Sequence, residues 1–232
     1  IVDNASENVL VQDLNVLGGG AIEITNPGFS STGALIIDTA NSVTVSGRFN
    51  QANPSRIALV RNQVGTSQDL GVISINTGQF SVTNGAEVRA EGDRSGGAHV
   101  DIDARINATV SNGGLIAVVN GSQQRGSLTM KAPSLLLNNA EVRSRTFTDR
   151  DAGPMKLEAT AGDIVLENGS LIRVSTENGS GDGGTLSLIA PNGSIRLSGG
   201  SRAESSSENF SSGDGGSLIA QAGGTISISG HG

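Results

Sequence analysis

Carboxylates are the reactive groups most plainly spaced along this chain. Asp101 and Asp103 alternate on one face of the extended run Ala98-His99-Val100-Asp101-Ile102-Asp103-Ala104, and Asp149 and Asp151 flank Arg150. Paired carboxylates of this kind serve as acid and base in polysaccharide hydrolysis, and aspartates with an arginine or lysine base serve in lyases. A second set, Asp93, Asp151, Asp182 and Asp214, stands just ahead of glycines that open similar segments. Acidic groups recurring at one corner are candidates for calcium, which takes six to eight oxygen ligands.

Against each chemistry stands a plainer reading. Sugar subsites draw on aromatic platforms, and the chain has no Trp and no Tyr. Asp151, Asp182 and Asp214 lie 31 and 32 residues apart, whereas the calcium-binding glycine-rich repeat recurs every nine or so. Aspartate also favours turns through hydrogen bonds to nearby backbone. His99 and His231 are far apart, and no Ser-His-Asp spacing suggests a triad. The absence of cysteine excludes a thiol nucleophile and a disulfide framework. We therefore expect no catalytic residue and no bound cofactor, calcium being the one ion to weigh.

The elements that carry these residues repeat. Gly181-Asp182-Gly183-Gly184 and Gly213-Asp214-Gly215-Gly216 each open a short alternating strand, 32 residues apart. Weaker copies of the unit start at Gly71, Gly97, Gly126, Gly153, Gly184 and Gly216, at spacings of 26, 29, 27, 31 and 32 residues. The variation falls in the polar stretch before the next glycine, so one loop is elastic while the strands are constant. Apolar residues alternate with period two, and no stretch keeps a helical period without an interrupting glycine. Glycine is 34 of 232 residues and phenylalanine only five, which suits stacked rungs of Val, Ile, Leu and Ala better than a closed globular core.

Aligning the units gives columns. Asn84, Asn112, Asn139, Asn168 and Gly199 share one position, with Gly47 and Gly230 in the same turn at either end. Asn and Gly both tolerate the left-handed backbone of a tight corner, and stacked Asn side chains can bond to one another as a ladder. Three apolar columns surround it: Val82, Val110, Leu137, Leu166, Leu197; Val88, Ile116, Val142, Ile172, Ala203; and Ile75, Ile102, Met130, Leu157, Leu188. Arg89, Ala117, Arg143, Arg173 and Glu204 form an outward column. Three inward columns predict an all-β parallel β-helix with three strands per rung, roughly eight rungs and a rod about 40 Å long. Residues 1–70 read as less regular rungs, continuous with the regular repeats of 71–232.

Charge narrows the partners. A net charge of −7 and a pI near 4.8 oppose nonspecific binding to nucleic acid or anionic membrane. No apolar run approaches the ~20 residues of a membrane-spanning helix.

The run Ser180 to Ser201, SGDGGTLSLIAPNGSIRLSGGS, resembles the repeat region of filamentous haemagglutinin-like exoproteins of two-partner secretion systems, particularly their cyanobacterial versions. The resemblance covers 71–232 well and 1–70 loosely. It implies a right-handed β-helix and a secreted, cell-surface location. It also implies a shaft or adhesive role, with neighbouring repeats of a parent chain, or a host or matrix glycan or protein, as partner. The Asn-Pro-Asn-Gly motif of that family's secretion module has no match here: Thr25-Asn26-Pro27-Gly28 and Pro191-Asn192-Gly193 differ from it. The chain therefore reads as an internal piece. The expected role is a non-catalytic surface shaft or adhesin segment. The alternatives are a fibre subunit that stacks end to end and a polysaccharide-active β-helix enzyme.

Overall fold

A computed structural model describes residues 2–3, 7–26, 34–50, 53–61, 71–92, 97–120, 125–208 and 212–230. Asp93 and His231 lie outside them. The described strands form a parallel β-solenoid. Val, Ile, Leu and Thr at alternate positions suit a pleated strand buried on one face. Parallel pairing then lets each coil reuse the pattern of the one below it.

Two sheets run the length of the stack. An eight-stranded sheet orders Ala21–Asn26, Arg56–Arg61, Glu87–Glu91, Leu115–Asn120, Glu141–Thr146, Leu171–Glu177 and Arg202–Glu208 upward from the short strand Val2–Asp3. A twelve-stranded sheet holds the rest of each coil. In the early coils this second sheet uses one long strand per level: Glu7–Leu17, Ala34–Ser46, Gly71–Thr83 and Ala98–Ser111. Each successive pair of these bends at a register shift, such as the one between Ala104 and Asn107. From the fifth level upward the long strand divides, as in Ser127–Ala132 with Leu135–Asn138 and Thr185–Ala190 with Ile195–Leu197. Pro133 and Pro191 sit at two of these breaks, where the missing N–H ends the ladder. The expected three faces are thus distinct in the later coils, while in the earlier ones two of them are joined by a bulged bend.

Inside, the columns run unbroken. Ile37, Ile75, Ile102, Met130, Leu157 and Leu188 pair in register from level to level. So do Val45, Val82, Val110, Leu137, Leu166 and Leu197. On the other sheet Val88, Ile116, Val142, Ile172 and Ala203 do the same. All but the last of these belong to the buried core, and Ala203 packs partly buried against it. Phe80 fills the interior between Val43 below and Ala108 above, so a large side chain is matched to a small one.

Polar groups tie the early bend together. Thr39 Oγ1 donates to Thr77 Oγ1 at 2.6 Å, both buried. Arg105 reaches back two coils: its Nη2 donates to the carbonyls of Thr39 and Ala40 at 2.8 Å each, and its Nη1 to Asn76 Oδ1 at 2.9 Å.

Candidate functional site

The alternation of the strand Ala98–Ser111 sends Ala98, Val100 and Ile102 inward and leaves Asp101 and Asp103 exposed on the outer face of the twelve-stranded sheet. Register then builds two short columns around them: Ser74, Asp101 and Thr129, beside Asn76, Asp103 and Lys131. These six line a depression of about 330 Å³. Lys131 Nζ lies 3.6 Å from Asp103 Oδ2, and the Asp103 side chain is 55 % exposed. The depression offers hydrogen-bond donors and acceptors to a polar molecule.

Next to it, His99 Nδ1 lies 2.6 Å from Ser127 Oγ on the neighbouring coil. Burial holds the His99 imidazole below its ordinary value, with Asp101 opposing that shift. The spacing of His99 and Ser127 in sequence carries no sign of this contact, because coil length decides which residues meet.

The aspartates at the loop corners have a different occupation. Asp151 Oδ1 accepts the backbone N–H of Asp182 at 2.9 Å, and Asp182 Oδ1 accepts that of Asp214 at 2.7 Å. Asp149 Oδ1 accepts from Ser180 N–H at 3.0 Å, and Asp163 Oδ1 from Ser194 N–H at 2.7 Å. Each carboxylate reaches one coil up and satisfies a loop N–H that has no strand partner. Arg125 pairs with the other oxygen of Asp151. Arg125, Asp151, Asp182, Thr185, Gly216 and Ser217 line part of a cleft of about 400 Å³. Among the described residues no three His, Cys, Asp or Glu side chains gather into a metal-holding group.

At the opposite corner Asn84, Asn112, Asn139 and Asn168 have φ of 55°, 50°, 49° and 55°, and Gly199 has φ of 61°. The corner stacks because the residues before it, Thr83, Ser111, Asn138 and Glu167, pair in register. Two of the four corner amides bond one coil down, into the column just before the corner. Asn168 Nδ2 donates at 3.0 Å to Asn138 Oδ1, one position before the corner of the coil below, and Asn84 Nδ2 donates at 3.1 Å to Ser46 Oγ. Asn138 Nδ2 in turn donates to Glu167 Oε1 at 2.7 Å. Asn84 and Asn168 thus reach into the column before the corner, while the Asn138–Glu167 bond runs up that column.

The outer face of the eight-stranded sheet is a grid of arginine and glutamate. Arg89, Ala117, Arg143, Arg173 and Glu204 stack in register as expected from alignment. Ala117, however, is fully buried although it points outward. Arg89 and Arg143, one coil to either side, carry side chains only 30 % and 22 % exposed, which places long stems flat on the sheet. Arg89 pairs with Glu91, Arg143 with Glu141 at 3.1 Å, and Arg145 with Glu177 at 3.8 Å. The Arg145 guanidinium also lies 4.7 Å from the centre of the Phe147 ring. Burial, and then the neighbouring Arg143, hold Arg145 below the ordinary arginine value.

No helix among the described residues is long and apolar enough to cross a membrane. No protein-family model, curated protein or solved structure matches this chain.

Proposed function

We propose that this chain is a non-catalytic shaft segment of a secreted, surface-displayed protein, whose side faces and loops form an adhesion surface. One observation carries the reading. The aspartates at the loop corners are spent on coil-to-coil bonds: Asp149, Asp151, Asp163 and Asp182 accept loop N–H groups from the next coil. A side chain committed to holding the stack is poorly placed to move protons or bind an ion. What remains is length, rigidity and a long lateral surface. The secreted location rests on the resemblance to filamentous haemagglutinin-like repeats alone. Immunogold labelling of intact source cells tests it, together with adhesion of beads bearing the purified segment to glycan and matrix-protein arrays. Label confined to the cell interior, with beads that bind nothing above uncoated controls, would overturn the reading. Cleavage of acidic polysaccharides that is lost in Asp101→Asn would favour the enzyme alternative.

A second reading, end-to-end association, draws on a separate observation. In the last level Leu218, Ile226 and Ile228 occupy the inward columns above Leu186, Ile195 and Leu197, yet they are 51 %, 50 % and 77 % exposed. These positions call for another parallel coil, from the same polypeptide or from a second copy. At the other end Leu14, at the foot of the Ile226 column, is only partly buried, while Val16, at the foot of the Ile228 column, is buried. Sedimentation of the isolated segment across a dilution series separates the sources: a monomer at every concentration excludes the second copy.

A further inference from the structure

Five Asn-Gly steps have both residues described: Asn84-Gly85, Asn112-Gly113, Asn168-Gly169, Asn178-Gly179 and Asn192-Gly193. Such a step can rearrange without a catalyst, because glycine has no Cβ to block the approach of its own nitrogen. The glycine nitrogen attacks the asparagine Cγ and gives its proton to solvent base. The new N–Cγ bond forms, the Cγ–Nδ2 bond breaks, and ammonia leaves. Water then opens the cyclic imide to aspartate or isoaspartate. A nitrogen whose N–H is held by a carbonyl must first give up that bond.

The fold holds four of the five nitrogens. Gly85 N–H donates to Asn112 O at 3.0 Å, Gly113 N–H to Asn139 O at 2.7 Å, Gly169 N–H to Gly199 O at 2.8 Å and Gly193 N–H to Ala190 O at 3.2 Å. Gly179 N–H has no such acceptor among the described residues. Its neighbours take the available partners: Asn178 N–H donates to Glu208 O at 3.4 Å, and Gly179 O accepts from Ser212 N–H at 3.2 Å. The side-chain amides divide in a similar way. Those of Asn84, Asn168 and Asn192 donate to Ser46 Oγ, Asn138 Oδ1 and Thr160 O. Asn178 is exposed, has φ of 63°, and its amide makes no hydrogen bond among the described residues. Asn112 shares the free amide, but Gly113 has the shortest of the four nitrogen bonds.

We infer that Asn178 is a site of spontaneous deamidation and isoaspartate formation, and that backbone N–H bonds, between coils at Gly85, Gly113 and Gly169 and within the turn at Gly193, protect the other four steps. Gly179 is buried, so the reaction in the folded protein is slower than in a free peptide; the ordering of sites is what the structure assigns. The product places a new carboxylate beside Glu177, in the column shared with Glu208.

The test ages the whole folded protein in mildly alkaline buffer and follows each site by peptide mass mapping with enzymatic methyl labelling of isoaspartate. Product at residue 178 is expected several-fold ahead of residues 84, 112, 168 and 192. In denaturant the five sites are expected to react at similar rates. Asn178→Gly, which keeps a residue at ease with positive φ, is expected to remove the labelled product while the unfolding curve stays in place. Reaction at any of the other four as fast as at 178 in the folded protein, or the same ordering persisting in denaturant, would overturn the inference.

Discussion

Arg173 reaches one coil up to Glu204, with Nε 3.0 Å and Nη2 2.8 Å from the same carboxylate oxygen, while its Nη1 lies 3.0 Å from Glu208 Oε2. The two residues stack directly in register. Sequence alignment alone places them one rung apart and values the pair as a surface contact. Both side chains are only 25 % exposed, which makes the bond stronger and its rupture costlier than for a solvated pair. Glu204→Gln is expected to lower stability by about 1–2 kcal/mol. Urea unfolding at low and high salt checks it: a change within error of zero at both would mean that solvent screens the pair.

The corner asparagines make a conformational prediction. Asn168 has φ of 55° and Gly199 occupies the same column one coil up. Asn168→Gly is expected to be nearly neutral, whereas Asn168→Ala places a Cβ in the left-handed region and is expected to cost about 1–2 kcal/mol. Thermal unfolding of the two variants side by side decides it, since equal losses would assign the effect to the amide bond with Asn138 instead.

Gly193 and Gly169 separate crowding from strain. A Cβ at Gly193 would meet the Gly162 carbonyl of the coil below, and backbone cannot move aside. At Gly169 nothing stands within 4 Å, but φ is +77°. Gly193→Ala is therefore expected to destabilise more than Gly169→Ala, the latter by about 1 kcal/mol from backbone strain alone. Chemical denaturation of both gives the order, and a larger loss at Gly169 would contradict the stacking contact.

Phe80 carries the largest fully buried side chain among the described residues. Phe80→Ala is expected to cost about 3–5 kcal/mol through lost burial and a cavity between Val43 and Ala108. Phe80→Leu should lose far less. Retention of wild-type stability in Phe80→Ala would show that the coil collapses around the gap.

His99 gives a pH dependence with a definite sign. Its folded imidazole titrates below the ordinary value of about 6.5, so the unfolded chain binds the proton more readily. The stabilising contribution is complete above that ordinary value and is lost as pH falls through the lower, folded one. His99→Gln should remove this part of the acid sensitivity. Urea midpoints of both proteins from neutral to mildly acidic pH test it; parallel curves would assign the sensitivity to other groups.

The interior columns and the corners were legible because stacking turns contact into periodicity: residues one coil apart touch, so Val82, Val110, Leu137 and Leu166 align by eye. What each polar side chain touches was not legible. The Asp182 carboxylate looks like a ligand in sequence, and only the coil above supplies the Asp214 N–H that it accepts. Ala117 reads as outward and exposed, and it is covered by neighbours whose stems lie across it. Arg105 has no local signal at all, since its acceptors at Thr39 and Ala40 are 66 and 65 residues away.

The direction of the backbone bonds has a mechanical consequence. In a parallel solenoid the strand-to-strand N–H···O=C bonds point along the stack, not around it. Tension applied to the two ends of the rod therefore loads the levels one after another, and the terminal coil peels before its neighbours share the force. Carboxylates such as Asp151 and Asp182, which grip the loop of the next level, act as rivets against that peeling. A pulled chain should yield coil by coil, with the loops that carry such rivets opening last.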